Sequence, residues 1–335
     1  MKNASRLNKI IQLLSYIGLI LLSSCKKDNG PDSKELLVYM QGDFGSTNNS
    51  ILASLTRTPI GVRGNTAFKV PVYSTRGVVA DVTVDLAPDE QSVGQFNGTN
   101  KTKCLLLPAA TYTIDLKQLK ISADSSQSQP LTINITNPGM LTDTNGYVLP
   151  LKVKNVTGAD KGVGISTNRA TVYLYVPYAF TNVDTVQTPL SGPAADRTGW
   201  SVTVSNTTAG ALGPAMLDGS NTTAWRSSNT STAAKWAILN AGSQQTFKGF
   251  LLTPDYVTTT ENPTQITVST SVDNLTWTVQ GIWKGTGPAS TSSAANPDVK
   301  GINFIAPVQA QYFRLDINTW VSGSRAGIGE LNAVQ

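Results

Sequence analysis

Leu217-Asp218-Gly219-Ser220-Asn221-Thr222-Thr223-Ala224-Trp225-Arg226-Ser227-Ser228 is the stretch from which the second half of the chain becomes readable. An acidic residue, a glycine and a run of oxygen-bearing side chains make a tight polar loop, and the tryptophan that follows opens a buried strand. Calcium takes about 6–8 oxygen ligands from carboxylates, amides, hydroxyls and backbone carbonyls, and a glycine lets the chain curl so that carbonyls turn inward. The loop therefore suits a hard cation. Read by itself, it suits equally an Asx-type turn that leads into a strand.

The downstream segments supply the context. In order they are Met216-Leu217-Asp218-Gly219, Thr223-Ala224-Trp225, Trp236-Ala237-Ile238-Leu239, Phe247-Lys248-Gly249-Phe250-Leu251-Leu252-Thr253-Pro254, then Ile266 to Trp277, Ala310 to Ile317, and Gly327-Ile328-Gly329-Glu330-Leu331. Over residues 198–335 this succession resembles the discoidin, or coagulation-factor type C, domain that bacteria use as a galactose-type carbohydrate-binding module. The resemblance implies a jelly-roll β-sandwich, a carbohydrate ligand and a structural calcium ion. Asp218, Asn221 and Thr223 would give the ion side-chain oxygens, and Glu330, one of only four glutamates in the chain, would complete the shell from the last strand. In such modules the ligand sits on loops at one end, where a sugar face stacks on an aromatic ring. Trp320 and Tyr256 are the corresponding ring candidates, and Arg226 and Arg325 the donors to sugar hydroxyls. Trp225, Trp236 and Trp277 fall in the strand-like matches and are expected in the core; Trp200 and Trp283 are left open. Two positions depart from the usual pattern: Asn240 precedes Ala241-Gly242 where an acid is common, and Asp255 follows Pro254 where arginine is common.

Upstream, seven short runs rich in β-branched and aromatic residues begin near Leu36, Phe68, Val82, Thr111, Leu131, Tyr147 and Ala170, with Gly, Pro, Asn and Asp clusters between them. Such spacing predicts an immunoglobulin-like β-sandwich over residues 36–180. This segment resembles an uncharacterised domain that precedes discoidin modules or glycosidases in Bacteroidetes lipoproteins. Residues 181–197, with Pro189, Gly192 and Pro193, read as a linker. Within them Asp184-Thr185-Val186 resembles the tripeptide at which exported Bacteroidetes proteins are O-glycosylated, on Thr185.

The chain opens with Lys2, Arg6 and Lys9, a mostly apolar run from Ile10 to Leu22, and Leu22-Ser23-Ser24-Cys25. This is the form of a lipoprotein signal peptide, residues 1–24, with Cys25 as the lipidated N-terminus of the mature chain. The apolar run is too short to span a bilayer. Residues 25–35 read as a polar tether, similar to the charged tags that follow the cysteine in surface lipoproteins of Bacteroidetes. The expected location is the outer membrane, facing outward. The formal charge of +5 rests largely on the three basic residues of the signal peptide, and no basic patch interleaved with aromatics points to nucleic acid. Cys104 is the one other cysteine, so no internal disulfide can form in the mature chain, and it is expected as a small buried hydrophobe.

There is no histidine, which removes the commonest general base, the Ser-His and Cys-His nucleophile pairs and the commonest zinc ligand. A glycosidase needs only two acids, about 5–9.5 Å apart. Asp81, Asp85, Asp89 and Glu90 are the nearest approach to such a cluster, and on an exposed strand face they read more simply as solvated acids. The expectation is a non-catalytic, all-β lipoprotein that captures glycan for an importer or a glycosidase. The alternative is a structural or adhesive lipoprotein that contacts protein or another cell.

Overall fold

The computed structural model describes residues 35–43, 48–158, 162–229 and 233–335. The segments expected as signal peptide and tether, Cys25 among them, lie outside the described residues except for Glu35. The chain divides into two compact units. The first comprises residues up to Ala53 together with Asn65–Pro177, and the second Ser54–Gly64 together with Tyr178–Gln335.

All seven predicted runs of the first unit are strands. Alternation sets their faces. Val82, Val84 and Leu86 are buried while Thr83, Asp85 and Ala87 between them are partly exposed, and Leu131, Ile133 and Ile135 repeat the pattern. The largest sheet orders Gln118–Ile121, Val82–Pro88, Tyr147–Gly158, Thr171–Val176 and Ser50–Leu52. Two three-stranded sheets complete the unit. One is built on Leu37–Met40 and Val72–Ser74, the other on Ala67–Val70 and Leu131–Ile135, and Pro71 interrupts the chain where it passes from one to the other. Proline has no N–H to give a ladder, so a sheet breaks at such a point. Cys104 is buried, as expected. The periodicity did not indicate the helix Ser92–Asn100.

The second unit is an antiparallel jelly roll. Two long strands form its spine, Trp236–Thr253 and Lys300–Trp320, with register shifts between Asn240 and Gln245 and between Phe247 and Gly249. At the second shift a Cβ on Gly249 would stand 2.6 Å from the Ile302 carbonyl oxygen, so only glycine fits there. Ser201–Val204 and Glu330–Val334 pair with the first long strand, and Pro263–Ser271 pairs with the second. Phe313 meets both Phe247 and Phe250 edge to face in the core, with ring centroids 4.7 and 4.6 Å away. Trp225 and Trp283 are fully buried beside them. Trp236 and Trp277, expected in the core, are only half-buried: Trp236 carries the Arg314 guanidinium on its ring, and Trp277 precedes the strand Thr278–Lys284.

Residues 181–197 do not behave as a free linker. Val183 and Asn182 are buried within the second unit, and the Asn182 amide bonds Gln280 and the Ala306 carbonyl. The hairpin of Leu55–Thr58 and Gly61–Gly64 belongs to the same unit, through Arg57 backbone bonds to Ala179 and Thr181.

Candidate functional site

The loop 217–223 folds much as its composition dictates. Gly219 adopts φ +80, a conformation that side chains resist, and this turns its N–H onto Glu330 Oε1 at 2.7 Å. The Asp218 carboxylate accepts the Ser220 N–H and the Thr223 hydroxyl, which is the Asx-type turn. Asp218, Thr223 and Glu330 therefore do converge. Asn221 does not join them, because its amide donates to the Ala294 carbonyl at 3.1 Å.

The positive charge at this place comes from Arg197. Its Nη1 donates to Glu330 Oε2 at 2.6 Å and to the Leu331 carbonyl at 2.8 Å. Burial pushes the Glu330 carboxyl above its ordinary range, and the approach of Asp218 adds to this against the pull of Arg197. Burial also presses Asp218 upward, but the hydrogen bonds from Thr223 and Ser220 outweigh it and hold that carboxyl low. With both carboxylates accepting N–H or O–H donors, the residues as arranged do not fit a calcium ion beside the guanidinium. Among the described residues no group of three or more acids, histidines or cysteines converges as a metal site.

Three of the four candidate ligand residues, Arg226, Arg325 and Trp320, gather with the loop that carries the fourth. The short pair Trp225–Arg226 and Gly327–Ile328 brings Arg226 against Asp255, Nε to Oδ2 3.1 Å. A Cβ on Gly327 would stand 2.8 Å from that carboxylate oxygen, so the glycine makes room for the pair. Asp255 is wholly buried, and Oδ1 accepts the N–H groups of Val257 and Thr258. Arg325 faces Glu261 at 3.9 Å. Burial raises both carboxyls above their ordinary range, opposed by Arg226 at Asp255 and by Arg226 and Arg325 at Glu261. The four side chains balance in charge: Arg226 Nε and Asp255 Oδ2 satisfy each other as an ion pair, while Glu261 Oε2 and Arg325 Nε have no hydrogen-bond partner among the described residues. The loop after Pro254 is tied to this end, since Val321 N–H bonds the Asn262 carbonyl and Ser322 N–H bonds that of Thr260.

Trp320, expected in a loop, is the last residue of the strand Lys300–Trp320 and pairs with Pro263. It is half-buried, donates Nε1–H to the Gly323 carbonyl and carries the buried Lys235 ammonium 4.9 Å from its ring centroid. Tyr256 accepts the Asp298 N–H on its hydroxyl at 2.6 Å, which fixes the loop after Pro254 to residues 285–299. Asp255 and Glu261 are the site residues that the sequence did not mark. The departure from arginine at position 255 was the signal, since an acid there demands a basic partner. Thr185 is exposed, with its N–H on the Asp184 carboxylate. In the first unit Asp81 pairs with Lys120 and Asp85 with Gln118 and Asn155, while Asp89 is held to about 2 by Lys154 first and then Ser92.

Residues 199–331 match the family model of the F5/8 type C domain, and residues 31–160 match the model of an N-terminal domain family. No curated protein matches the chain. A two-domain protein of unknown function from Bacteroides fragilis is similar in structure over 91% of this chain and 96% of its own, at 17% identity and a TM-score of 0.60. A Clostridium perfringens domain solved with GalNAc-β-1,3-galactose aligns with 43% of this chain and 100% of its own, at 17% identity and a TM-score of 0.37. The family 32 CBM of C. perfringens NanJ, solved with galactose, aligns with 42% and 96%, at 18% identity and a TM-score of 0.34. The Bacteroides protein is similar in fold over 91% of the chain, and the family match identifies the C-terminal part: residues 199–331 are an F5/8 type C, or discoidin, domain carried behind an N-terminal β domain.

Proposed function

We propose that this is a non-catalytic glycan-binding lipoprotein, held at the cell surface through Cys25, which captures carbohydrate at the end of its F5/8 type C domain for an importer or glycosidase partner. The observation that carries the reading is the cluster of Arg226, Asp255, Glu261 and Arg325, in which the buried Glu261 Oε2 and Arg325 Nε lack hydrogen-bond partners beside a half-buried tryptophan. A buried polar atom without a partner costs about 1–3 kcal/mol, so such a cluster is retained where a ligand completes it. Sugar hydroxyls both donate and accept, and they can satisfy carboxylate and guanidinium together.

A glycan array followed by calorimetry tests this. A bound glycan should lose at least tenfold in affinity in Arg325→Ala and in Trp320→Ala, with the fold intact. Full affinity in both variants would remove this end of the domain as the site, and an array without any hit would favour the adhesive alternative. Fractionation tests the anchor, since Cys25→Ala should move the protein from the membrane pellet to the soluble fraction.

A further inference from the structure

The N-terminal unit holds a cavity of about 270 Å³ lined mainly by amides and hydroxyls. The helix Ser92–Asn100, the turn at Asn48 and Asn49, and residues 167–173 form its walls. Part of the lining is locked into the fold. Asn49, at φ 50, donates to the Met40 and Thr171 carbonyls and accepts the Gly42 N–H. Asn100 donates to the Phe96 carbonyl and accepts from the Asn48 amide.

Other groups are held at one end and offered at the other. The Gln95 carbonyl oxygen accepts the Tyr173 hydroxyl at 3.3 Å, which leaves its NH₂ group to the cavity. The Asn168 carbonyl oxygen accepts the Ser166 hydroxyl at 2.8 Å, with the same consequence. Neither NH₂ group, nor the hydroxyl of Thr99 or Thr167, bonds a described residue. The Phe96 ring, 5.2 Å from that of Tyr173, is buried and lies beneath the polar lining. Lys152 stands at the wall with its ammonium 3.4 Å from the Asp89 carboxylate, an acid it shares with Lys154, which lies nearer at 2.7 Å.

We propose that this cavity binds one neutral sugar ring, at a site separate from that of the F5/8 type C domain and independent of it. An apolar ligand would strand the amides, at a few kcal/mol for each unpaired group. A phosphate or carboxylate would have to draw Lys152, the cation of this lining, away from the acid it shares with Lys154. A sugar meets the polar lining without needing a charge from it, since its hydroxyls can accept from the Gln95 and Asn168 NH₂ groups and bond the hydroxyls of Thr99 and Thr167. The volume is near the lower end of ligand pockets, about 300 Å³, and so suits a single ring.

The test uses the full chain with the methyl glycosides of glucose, galactose, mannose and N-acetylglucosamine, and inorganic phosphate as the charged probe. Binding is read by saturation-transfer NMR and calorimetry. At least one glycoside should bind wild type and Trp320→Ala alike. It should lose about tenfold or more in Gln95→Ala/Asn168→Ala, which removes two hydrogen bonds of about 0.5–1.5 kcal/mol each. Thr99→Phe, at an exposed helix position, fills the cavity and should abolish binding without touching Gln95 or Asn168. The proposal is overturned if no glycoside binds, if phosphate alone binds, or if a glycoside keeps its affinity in both cavity variants while their melting is unchanged. It is equally overturned if binding is lost only in Trp320→Ala, which would place the sugar on the other domain.

Discussion

Arg197 reaches Glu330 at 2.6 Å and the Leu331 carbonyl at 2.8 Å, so a guanidinium joins the loop 217–223 to the closing strand where the family resemblance assigned an ion. Breaking a buried ion pair by removing one partner costs roughly 3–5 kcal/mol, because the remaining charge is left uncompensated. Proton uptake by Glu330, whose carboxyl is already raised, softens that loss. We expect Arg197→Ala to melt several degrees below wild type, and chelator or excess calcium to leave the wild-type melt unchanged. Differential scanning calorimetry decides it, and a wild-type melt that rises with calcium would show that an ion displaces the arginine. The convergence of Asp218, Thr223 and Glu330 was legible from the sequence. The arginine was not, because it lies twenty residues before the loop in a stretch whose prolines and glycine read as a linker. The half-exposed Trp277 misled for a related reason. Its flanking pattern marks a strand, but a turn in which Asp273 accepts the Leu275 and Thr276 N–H groups delivers the ring to the strand's edge.

Among elements, the strands declared themselves by alternation, whereas the helix Ser92–Asn100 ran against local preference. Its sequence, SVGQFNGTN, holds two glycines against a single good helix former, Gln95, and only Ser92 and Phe96 are buried. Tertiary packing makes it helical: Phe96 lies against Tyr173 and Tyr175, with ring centroids 5.2 and 5.3 Å away. Asn97 then closes the far end by donating to the Cys104 carbonyl and accepting the Cys104 N–H. Neither Gly94 nor Gly98 has a positive φ, and a Cβ on either would meet nothing within 4 Å. Each glycine therefore lowers helix stability without a steric reason, and Gly→Ala at such a site gains about 0.4–1 kcal/mol. Gly94→Ala and Gly98→Ala should each raise the denaturant midpoint of the N-terminal unit, and nearly additively in the double variant. A lower midpoint would mean that the helix needs the freedom its glycines provide. The two spine strands were legible only in pieces, since the bulges after Asn240 and Phe247 break the period that a continuous strand would show.

For the molecule as a whole, family boundaries and physical boundaries differ. The F5/8 type C match begins at residue 199, but the unit that buries a common core begins at Tyr178 and also takes in Ser54–Gly64. The reason lies in side chains that pattern reading assigns to a connector. Val183 and Ala195 are buried, the Asn182 side-chain oxygen Oδ1 accepts the Ala306 N–H, and Asn303 donates to the Val186 and Thr188 carbonyls. A fragment cut at residue 198 forfeits these together with Arg197, and it exposes the Asn303 and Gln280 amides that they satisfy. Burying one valine contributes about 1.5–3 kcal/mol, and each stranded buried amide costs about 1–3 kcal/mol, which is a large share of the stability of a domain this size. We expect residues 178–335 to fold and melt cooperatively, and residues 198–335 to melt at least ten degrees lower or to fail to fold. Adding residues 54–64 back as a separate peptide should raise the melt of 178–335, because the Arg57 backbone pairs with Ala179 and Thr181. Equal melting of the two fragments would mean that residues 178–197 only lie along the jelly roll and do not help to hold it together.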